Sequence, residues 1–358
     1  MSASSAVTLP MPLGPISGPA AWFGPDMAER SDWVHVLAAE DIDEIDAAIR
    51  RHVASRLGMD RITPATFRLP RLAAKLERIL GEILHGRGFA VIRGFPVDRY
   101  TVEEAAIGYL GLGSYFGSFR SQNAKGHLLG HVKDIGLDIR DGGTRFYQTN
   151  RQLDYHTDSC DIVGLLCLKT AKMGGASRVV SSVTLYNEML RRRPDLAAAL
   201  FDPVPTDRRS EVPPGMLPWF EIPVFNWYGN ELTTIYVGQY IRSAQANFPQ
   251  APRISAAKDE ALRLLDDLAN SPDLRLEMSF EPGDMQFLHN HQILHSRTDF
   301  ADWDEPERRR HLLRLWLAPA AARPLPPAFA ARYGAITPGD RGGIVTNETK
   351  LKFVLDAE

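Results

Sequence analysis

The sequence predicts a mainly β protein, a sandwich or barrel with helices around it. Short β-like runs follow one another closely after about residue 114, with turn residues between them. Helical patterns are concentrated near the start of the chain and in inserts. A regular alternation of strand and helix is missing, and no GxGxxG or Walker-type loop occurs, which argues against a doubly wound parallel sheet.

The first hundred residues predict helices that precede the β-rich region. Apolar residues at helical spacing predict helices over Asp41–Leu57 and Arg71–Leu84, the first with acidic residues in its first turn. The glycine-flanked run 88–96 predicts a buried strand. Thr101 and Glu104 form a capping-box pattern that predicts the start of a third helix.

The rest of the chain predicts short strands with a helical insert. The expected strands are LLGHVKDIG, RFYQTN, DIVGLLCLK, SRVVSSV, LRLEMSF, MQFLHNHQILHSR and HLLRLWLAP. Helices are expected over Leu185–Arg192, from Pro194, and over Lys258–Asn270. PVFNWYGNELTTIYV predicts a hairpin with Gly229-Asn230 at its turn, and the proline-rich segment 203–223 predicts a long loop.

These patterns divide the 358 residues into three parts. Residues 1–84 are expected to form an arm, extended over about the first 20 residues, and helices that pack on the core. Residues 85–320 are expected to form the β-rich domain, with a helical and loop insert at about 185–270. Residues 321–358 are expected to be a C-terminal extension.

Composition excludes several classes of function. The net charge of −3 does not suggest a nucleic-acid or anionic-membrane surface. Two cysteines, Cys160 and Cys167, do not make a disulfide framework, which favours a reducing compartment. The N-terminus has no basic residue and no compact apolar stretch of a signal peptide. We therefore expect a cytoplasmic protein that acts on a small molecule, with a homo-oligomer left open.

A candidate metal site begins at His156 and Asp158, two residues apart at the edge of an apolar run. Residues i and i+2 of a strand point to the same face, so the pair could bind one ion. A later cluster contains His289, His291 and His295. Two histidines and one carboxylate suit a non-haem Fe(II) site that keeps open positions. Taken singly, each histidine of the cluster is more simply a hydrogen-bonded core or surface residue.

Arg314 adds a candidate anion-binding group in the strand HLLRLWLAP. An arginine inside an apolar strand is costly unless it meets an anion, and its planar guanidinium suits a carboxylate. A structural ion pair with a buried Asp or Glu is the simpler interpretation of this residue alone.

Together, the segments H156-T-D158, N290-H-Q-I-L-H295 and R310-H-L-L-R314 resemble the TauD/TfdA family of Fe(II)- and 2-oxoglutarate-dependent dioxygenases. The resemblance extends from about residue 85 to about 320. It implies a double-stranded β-helix core, which is a cupin-like jelly roll. It also implies that the cofactor is Fe(II), that 2-oxoglutarate and O₂ are consumed, and that succinate and CO₂ are released as a C–H bond is hydroxylated.

The resemblance also implies roles for individual residues. His156, Asp158 and His295 would be the catalytic iron ligands, since the family's Asn-to-His spacing selects His295. Arg314 would bind the distal carboxylate of 2-oxoglutarate. Two further cosubstrate-binding candidates follow: Arg310, which would assist or face solvent, and Ser177, whose hydroxyl replaces the family's usual threonine. The carboxylate of Asp158 argues for hydroxylation, because halogenating relatives lack it.

Substrate contacts are expected from the segment before the His-x-Asp pair and from loops over the mouth of the core. The candidates are His127, Gln148, Asn150, Gln152 and Tyr155. A polar and aromatic wall suits a small amino-acid-like or carboxylated metabolite, although each candidate could equally form hydrogen bonds within its loop. Two other functions stay open, a Zn²⁺-dependent hydrolase and a non-catalytic jelly-roll binding protein.

Overall fold

The computed structural model describes residues 11–137 and 144–357, so much of the expected arm lies outside the described residues. The helices are α1 Gly24–Ala28, α2 Ala39–Ser55, α3 Ala73–His85, α4 Val102–Gly113, α5 Ser182–Arg192, α6 Pro194–Ala199, α7 Gly238–Asn247, α8 Ala256–Asn270 and α9 Ala330–Tyr333. The strands are β1 Val34–Val36, β2 Phe89–Arg93, β3 Ser118–Phe119, β4 Gly130–Val132, β5 Leu153–His156, β6 Ile162–Lys169, β7 Met173–Gly174, β8 Ser177–Ser181, β9 Pro203–Asp207, β10 Trp219–Pro223, β11 Phe225–Tyr228, β12 Glu231–Thr234, β13 Leu276–Met278, β14 Met285–His289, β15 Ile293–Arg297, β16 Phe300–Ala301 and β17 His311–Ala318.

Two sheets face each other and enclose the centre of the molecule. In the described residues the larger sheet has the order β1-β2-β14-β6-β17-β3, with β4 also paired to β17. The smaller sheet has the order β13-β8-β15-β5. Side chains of both sheets meet in one buried cluster that includes Val91, Leu288, Val179 and Ile293. This arrangement confirms the mainly β fold with a jelly-roll core, in which both sheets stay open.

Helices cover the outer faces of both sheets. Ile45 of α2, Leu76 of α3 and Leu110 of α4 belong to the same buried cluster as Leu166 of β6 and Leu313 of β17. Helices α5, α6 and α8 pack on the smaller sheet in a second cluster. The sheets are therefore buried on both sides, which explains why their strands are nearly continuous apolar runs. Across residues 11–137 and 144–357, no helix has both the length and the apolar character needed to cross a bilayer.

Local sequence signals fix several element boundaries. The hydroxyl of Thr101 accepts a hydrogen bond from the backbone N–H of Glu104, and the Glu104 carboxylate accepts one from the backbone N–H of Thr101. The predicted capping box is therefore confirmed. The predicted hairpin β11–β12 is also confirmed, and both Gly229 and Asn230 adopt positive φ at its turn.

Two expectations about local structure are wrong. RFYQTN forms a 3₁₀ helix at Phe146–Gln148 instead of a strand. The proline-rich segment 203–223 contains the paired strands β9 and β10. Its prolines are compatible with pairing because this is an isolated two-stranded sheet, whose outer edges need no backbone N–H donors.

Candidate active site

Two strands of the smaller sheet bring His156 and His295 side by side. Strands β5 and β15 are antiparallel, and His295 pairs with His156 in their register. Directly opposed residues of an antiparallel pair share a face, and the two imidazole centroids are 4.2 Å apart. Asp158 follows β5 and completes a group whose potential ligand atoms all lie within 4.8 Å of one another.

The three side chains provide suitable donors for a divalent metal. Nε2 of His156 lies 3.8 Å from Oδ1 of Asp158, and Nε2 of His295 lies 3.9 Å from Oδ2. Nδ1 of His156 donates to the carbonyl oxygen of Asp154 at 2.8 Å, which leaves the Nε2 lone pair for a metal ion. Two imidazole nitrogens and one carboxylate match the donor set of non-haem Fe(II) oxygenases.

The protonation states of the site also suit metal binding. Burial, together with the adjacent His156, lowers the pKa of His295 to about 3, so its imidazole is neutral near pH 7. Burial of Asp158 favours its protonated form, but the positive charge of Arg314 and the hydrogen bond from Trp316 favour the ionised form and outweigh that effect. The pKa of Asp158 is therefore lowered, and its carboxylate is ionised.

The loop that carries Asp158 is held in place by Asn290 and Trp316. Oδ1 of Asn290 accepts the backbone N–H of Asp158 at 2.8 Å, and Nδ2 of Asn290 donates to the carbonyl oxygens of Asp158 and Cys160. Nε1 of Trp316 donates to Oδ2 of Asp158 at 3.0 Å. These contacts fix both the backbone and the carboxylate of the candidate ligand.

Arg314 lies directly against the candidate metal ligands. Its Nη1 is 3.5 Å from Oδ2 of Asp158, and its Nε donates to Oε1 of Gln122 at 2.7 Å. Its guanidinium also lies over the rings of Tyr147 and Trp316, at 4.7 and 5.2 Å. These contacts fix the orientation of the guanidinium beside the carboxylate of Asp158.

A second group of arginines lies deeper in the core. The guanidinium groups of Arg297 and Arg310 both lie over the ring of Phe300, at 4.7 and 5.1 Å. Both side chains are buried, and Nη1 of each has no hydrogen-bond partner. Among the described residues, no carboxylate oxygen lies within 4.0 Å of either guanidinium.

The buried arginines make this part of the core a site for an anion. Burial lowers the pKa of Arg297 to about 9 and that of Arg310 to about 10. Ser177 pairs with Arg297 in the β8–β15 register, and its hydroxyl bonds Oε1 of Gln286 at 3.2 Å. Burying a guanidinium group without a counter-ion costs free energy, so a negatively charged ligand beside Arg297 and Arg310 would be stabilising.

The other two histidines of the cluster form a separate buried network. Nε2 of His291 lies 3.0 Å from Oδ1 of Asp161, and Arg341 contacts the same carboxylate through Nη2 at 2.6 Å and through Nε at 3.0 Å. Nδ1 of His289 lies 3.4 Å from Nη2 of Arg323. Within the described part of the chain, the metal-ligand group thus contains His295 and neither of these histidines.

Replacing Arg341 with methionine is expected to destabilise the protein by about 3–5 kcal/mol, because it leaves the buried Asp161 carboxylate without its main partner. The free energy of unfolding from urea titration measures this effect. The matched control is Arg191→Met, which removes an exposed pair with Glu188 and should cost no more than about 1 kcal/mol. Equal, small effects for both variants would contradict the buried pair.

A cavity of about 530 Å³ opens onto the candidate metal site, and His156, Asp158 and Arg314 line it. This volume lies within the range of small-molecule sites. Three expected substrate-contacting residues line it as well: His127, Gln148 and Tyr155. Oε1 of Gln148 accepts the backbone N–H of Arg145, so part of its role is to shape the cavity wall.

Asn150 and Gln152 do not line this cavity, and both are exposed. The backbone on either side of Asn150 accepts hydrogen bonds from the side chain of Arg297, and the carbonyl oxygen of Asn150 accepts one from the N–H of Phe300. The backbone around Asn150 therefore holds β15 and β16 in place. The side chains of Asn150 and Gln152 lie at the surface. A substrate contact of Asn150 or Gln152 therefore stays a prediction, without support from the cavity lining.

Several residues of the site were not predicted. Residues of helix α7 line the cavity, and so does Arg332 in the C-terminal segment. Arg297 stands two residues after His295 in an apolar strand, so it carried the same sequence signal as Arg314. Helix α7 lacks a side-chain N-cap, and Arg332 lies in a segment without clear periodicity, so neither had a usable signal.

Comparison with known proteins agrees with this geometry. The family model described as "Taurine catabolism dioxygenase TauD, TfdA family" matches residues 36–316. "FR-33289 synthase" of Streptomyces rubellomurinus (strain ATCC 31215) is 31% identical over 337 residues, which cover 89% of this chain and 95% of that protein.

Two solved structures share the fold. An asparagine oxygenase in complex with Fe(II), 2S,3S-3-hydroxyasparagine and succinate has a TM-score of 0.63 at 16% identity, over 80% of this chain and 93% of that chain. The non-heme iron oxygenase OrfP in complex with iron and α-ketoglutaric acid has a TM-score of 0.60 at 16% identity, over 79% and 93%. With the family match over most of the chain, these findings confirm the expected enzyme class, and the chain belongs to the TauD/TfdA family of Fe(II)- and 2-oxoglutarate-dependent dioxygenases.

Proposed function

We propose that this enzyme hydroxylates a C–H bond of a small polar metabolite at the site formed by His156, Asp158 and His295. The observation that carries the proposal is the grouping of these ligand atoms within 4.8 Å, with His156 and Asp158 on the wall of the cavity. The bound iron would supply activation of O₂, coupled to oxidation of 2-oxoglutarate to succinate and CO₂. The chain's own residues orient the ligands, bind the cosubstrate and position the substrate.

The two arginine groups fit the two ends of the cosubstrate. 2-Oxoglutarate carries carboxylates at opposite ends of a five-carbon chain. Arg314 lies 3.5 Å from a carboxylate oxygen of Asp158, which favours a role at the end that chelates the metal. Arg310 and Arg297 lack a carboxylate partner among the described residues, and this favours a role for them, with Ser177, at the distal end.

This assignment differs from the sequence-based expectation, in which Arg314 binds the distal carboxylate and Arg310 assists or faces solvent. Arg310 directly precedes β17 and Arg314 lies within it. Four residues of extended chain span roughly 13 Å, so the two arginines are well separated along the core. An arginine in contact with a metal ligand is poorly placed for the carboxylate farthest from the metal. The distal role therefore passes from Arg314 to Arg310 in our proposal.

The substrate is proposed to be amino-acid-like or carboxylated. The cavity volume suits a small metabolite, and its wall combines charged, amide and aromatic side chains. The asparagine oxygenase that shares the fold acts on an amino acid, which supports the same class here. A zinc hydrolase is the less favoured alternative, because water activation needs neither the buried arginine pair nor Arg314.

Anaerobic titration of the protein with Fe(II) and then 2-oxoglutarate tests the proposal. We expect a weak visible charge-transfer band when both are bound, and slow succinate release after O₂ is admitted. Adding Zn²⁺ in place of Fe(II) is the matched control and should give neither signal. Tight Zn²⁺ binding without a band from Fe(II) and 2-oxoglutarate would instead support the hydrolase alternative.

A further inference from the structure

Most charged side chains of the substrate cavity are already paired. Arg145 contacts Glu211 at 3.2 Å, and Arg242 contacts Asp266 at 2.6 Å. Arg314 faces Asp158, as described above. The two remaining acids on the described wall accept hydrogen bonds from neutral groups. The amide of Gln239 donates to Asp154, and the hydroxyl of Ser243 and the backbone N–H of Arg209 donate to Asp207.

Arg209 and Arg332 are different from these paired groups. Both line the cavity, and in the described ranges no carboxylate oxygen lies within 4.0 Å of either guanidinium. Nε of Arg332 donates to the hydroxyl of Ser159 at 2.8 Å, and its guanidinium lies 5.6 Å from the ring centroid of Phe220. Each guanidinium thus keeps unused N–H donors beside the cavity.

The two unpaired guanidinium groups belong to one cluster with Arg145. The guanidinium groups of Arg145 and Arg209 lie 5.8 and 5.5 Å from the ring centroid of Tyr240, and Nη1 of Arg145 donates to the Tyr240 hydroxyl at 3.1 Å. Burial lowers the pKa of Arg332, and the charges of Glu211 and Arg145 are close enough to act on it as well. Among the described residues, Glu211 pairs with Arg145 alone, and the guanidinium groups of Arg209 and Arg332 have no carboxylate within 4.0 Å.

The backbone at Arg209 supports a binding role for this cluster. Arg209 and Ser210 have φ values of 54° and 66°, in the left-handed region that residues other than glycine rarely adopt. Two such residues in succession are held there by surrounding contacts, which include the hydrogen bond from the N–H of Arg209 to Asp207. Strained backbone of this kind is characteristic of ligand clamps.

We propose that Arg145, Arg209 and Arg332 bind a phosphate-monoester or phosphonate group of the substrate. A tetrahedral anion of this kind has three terminal oxygens and up to two negative charges, which match three guanidinium groups of which one is paired with a carboxylate. A single carboxylate has two oxygens and one charge, and it would leave part of the cluster uncompensated. This inference rests on the proposed function and narrows its substrate class.

The position of Arg332 links the proposed anion site to the candidate metal site. Its partner Ser159 follows Asp158 directly in the chain. An anionic group bound at Arg332 would therefore be anchored on the same loop that carries a metal ligand. Arg332 lies beyond residue 316, where the family match ends, so this recognition is a feature of this chain's C-terminal segment.

Isothermal titration calorimetry of the anaerobic protein, saturated with Fe(II) and 2-oxoglutarate in phosphate-free buffer at pH 7.5, tests the inference. The probes are methyl phosphate and methylphosphonate, with acetate for contrast. We expect one of the first two to bind about ten-fold more tightly than acetate. Tighter binding of either probe than of acetate supports a tetrahedral-anion site.

Arg209→Gln and Arg332→Gln should each weaken that binding by about ten-fold, because each removes a charged donor. Arg191→Gln removes the same charge from an exposed surface helix and should leave the affinity unchanged. Equal binding of acetate and methyl phosphate, or wild-type affinity in Arg209→Gln, would overturn the inference. Saturating 2-oxoglutarate prevents the probes from binding to the arginines that are proposed to bind 2-oxoglutarate. The charge-transfer band recorded in the same samples tests the proposed function separately.

Discussion

Replacing His295 with alanine is expected to weaken Fe(II) binding by about 100-fold or more and to reduce succinate formation to background. Even partners that only orient a metal ligand contribute about 10–100-fold to affinity, and His295 would be a ligand itself. Its neutral imidazole lies beside His156 and within 3.9 Å of Asp158. Because these two neighbours would be ligands themselves, neither can take the place of His295. Fe(II) affinity is measured by anaerobic equilibrium titration, and succinate by end-point assay.

The control for this variant is His85→Ala, which removes an exposed histidine at the end of α3 and should behave as the wild type. Retained Fe(II) affinity in His295→Ala would show that the metal is bound elsewhere. The buried contact of His291 with Asp161 makes that outcome unexpected, because this imidazole is already hydrogen-bonded to a carboxylate that Arg341 also contacts.

The sequence pointed to the candidate metal site because the signal was local at each end. His156 and Asp158 are two residues apart, and Asn290 and His295 follow in one short segment. The contact between the two halves depends on the pairing of β5 with β15, which are distant in the chain. A non-local register cannot be read from spacing, so only the resemblance to a family selected His295 over its neighbours.

The roles of the arginines were harder to predict for a physical reason. Arg297 and Arg314 lie in buried strands, whereas Arg310 is the last residue of a basic triplet that directly precedes β17. Strand β17 has an irregular register between His311 and Leu312, and such a bulge changes which side chains face inward. The contact of Arg314 with Asp158 therefore becomes visible only when the strands are paired.

The contacts of the C-terminal segment with the core could not be predicted from the sequence. Single residues, not periodic patterns, make these contacts. Arg341 is buried against Asp161, and Arg332 contacts Ser159. Irregular backbone carries no hydrophobic period, so composition alone could not distinguish this segment from a solvent-exposed tail. These contacts hold the residues that directly follow Asp158, so the C-terminal segment supports the loop that carries this candidate ligand.

Replacing Arg310 with alanine is expected to weaken 2-oxoglutarate binding by about 30-fold or more, while 2-oxopentanoate, which lacks the distal carboxylate, is little affected. Loss of one partner of a buried charge pair costs about 2–5 kcal/mol, and that cost applies only to a cosubstrate that carries the second charge. The variant should fold, since no carboxylate in the described residues is left unpaired and the backbone N–H of Arg310 still donates to Asp302.

Arg314→Ala is the informative comparison, because its guanidinium lies at Asp158 near the metal. If Arg314 acts at the chelating end, its loss should weaken both 2-oxo acids by similar factors and leave their ratio close to that of the wild type. The measurement is the dissociation constant of each acid from the charge-transfer band under anaerobic conditions. Loss of discrimination in Arg314→Ala, with discrimination intact in Arg310→Ala, would return the distal role to Arg314. The ratio of the two constants decides between the assignments independently of how far either variant lowers turnover, because it cancels effects common to both acids.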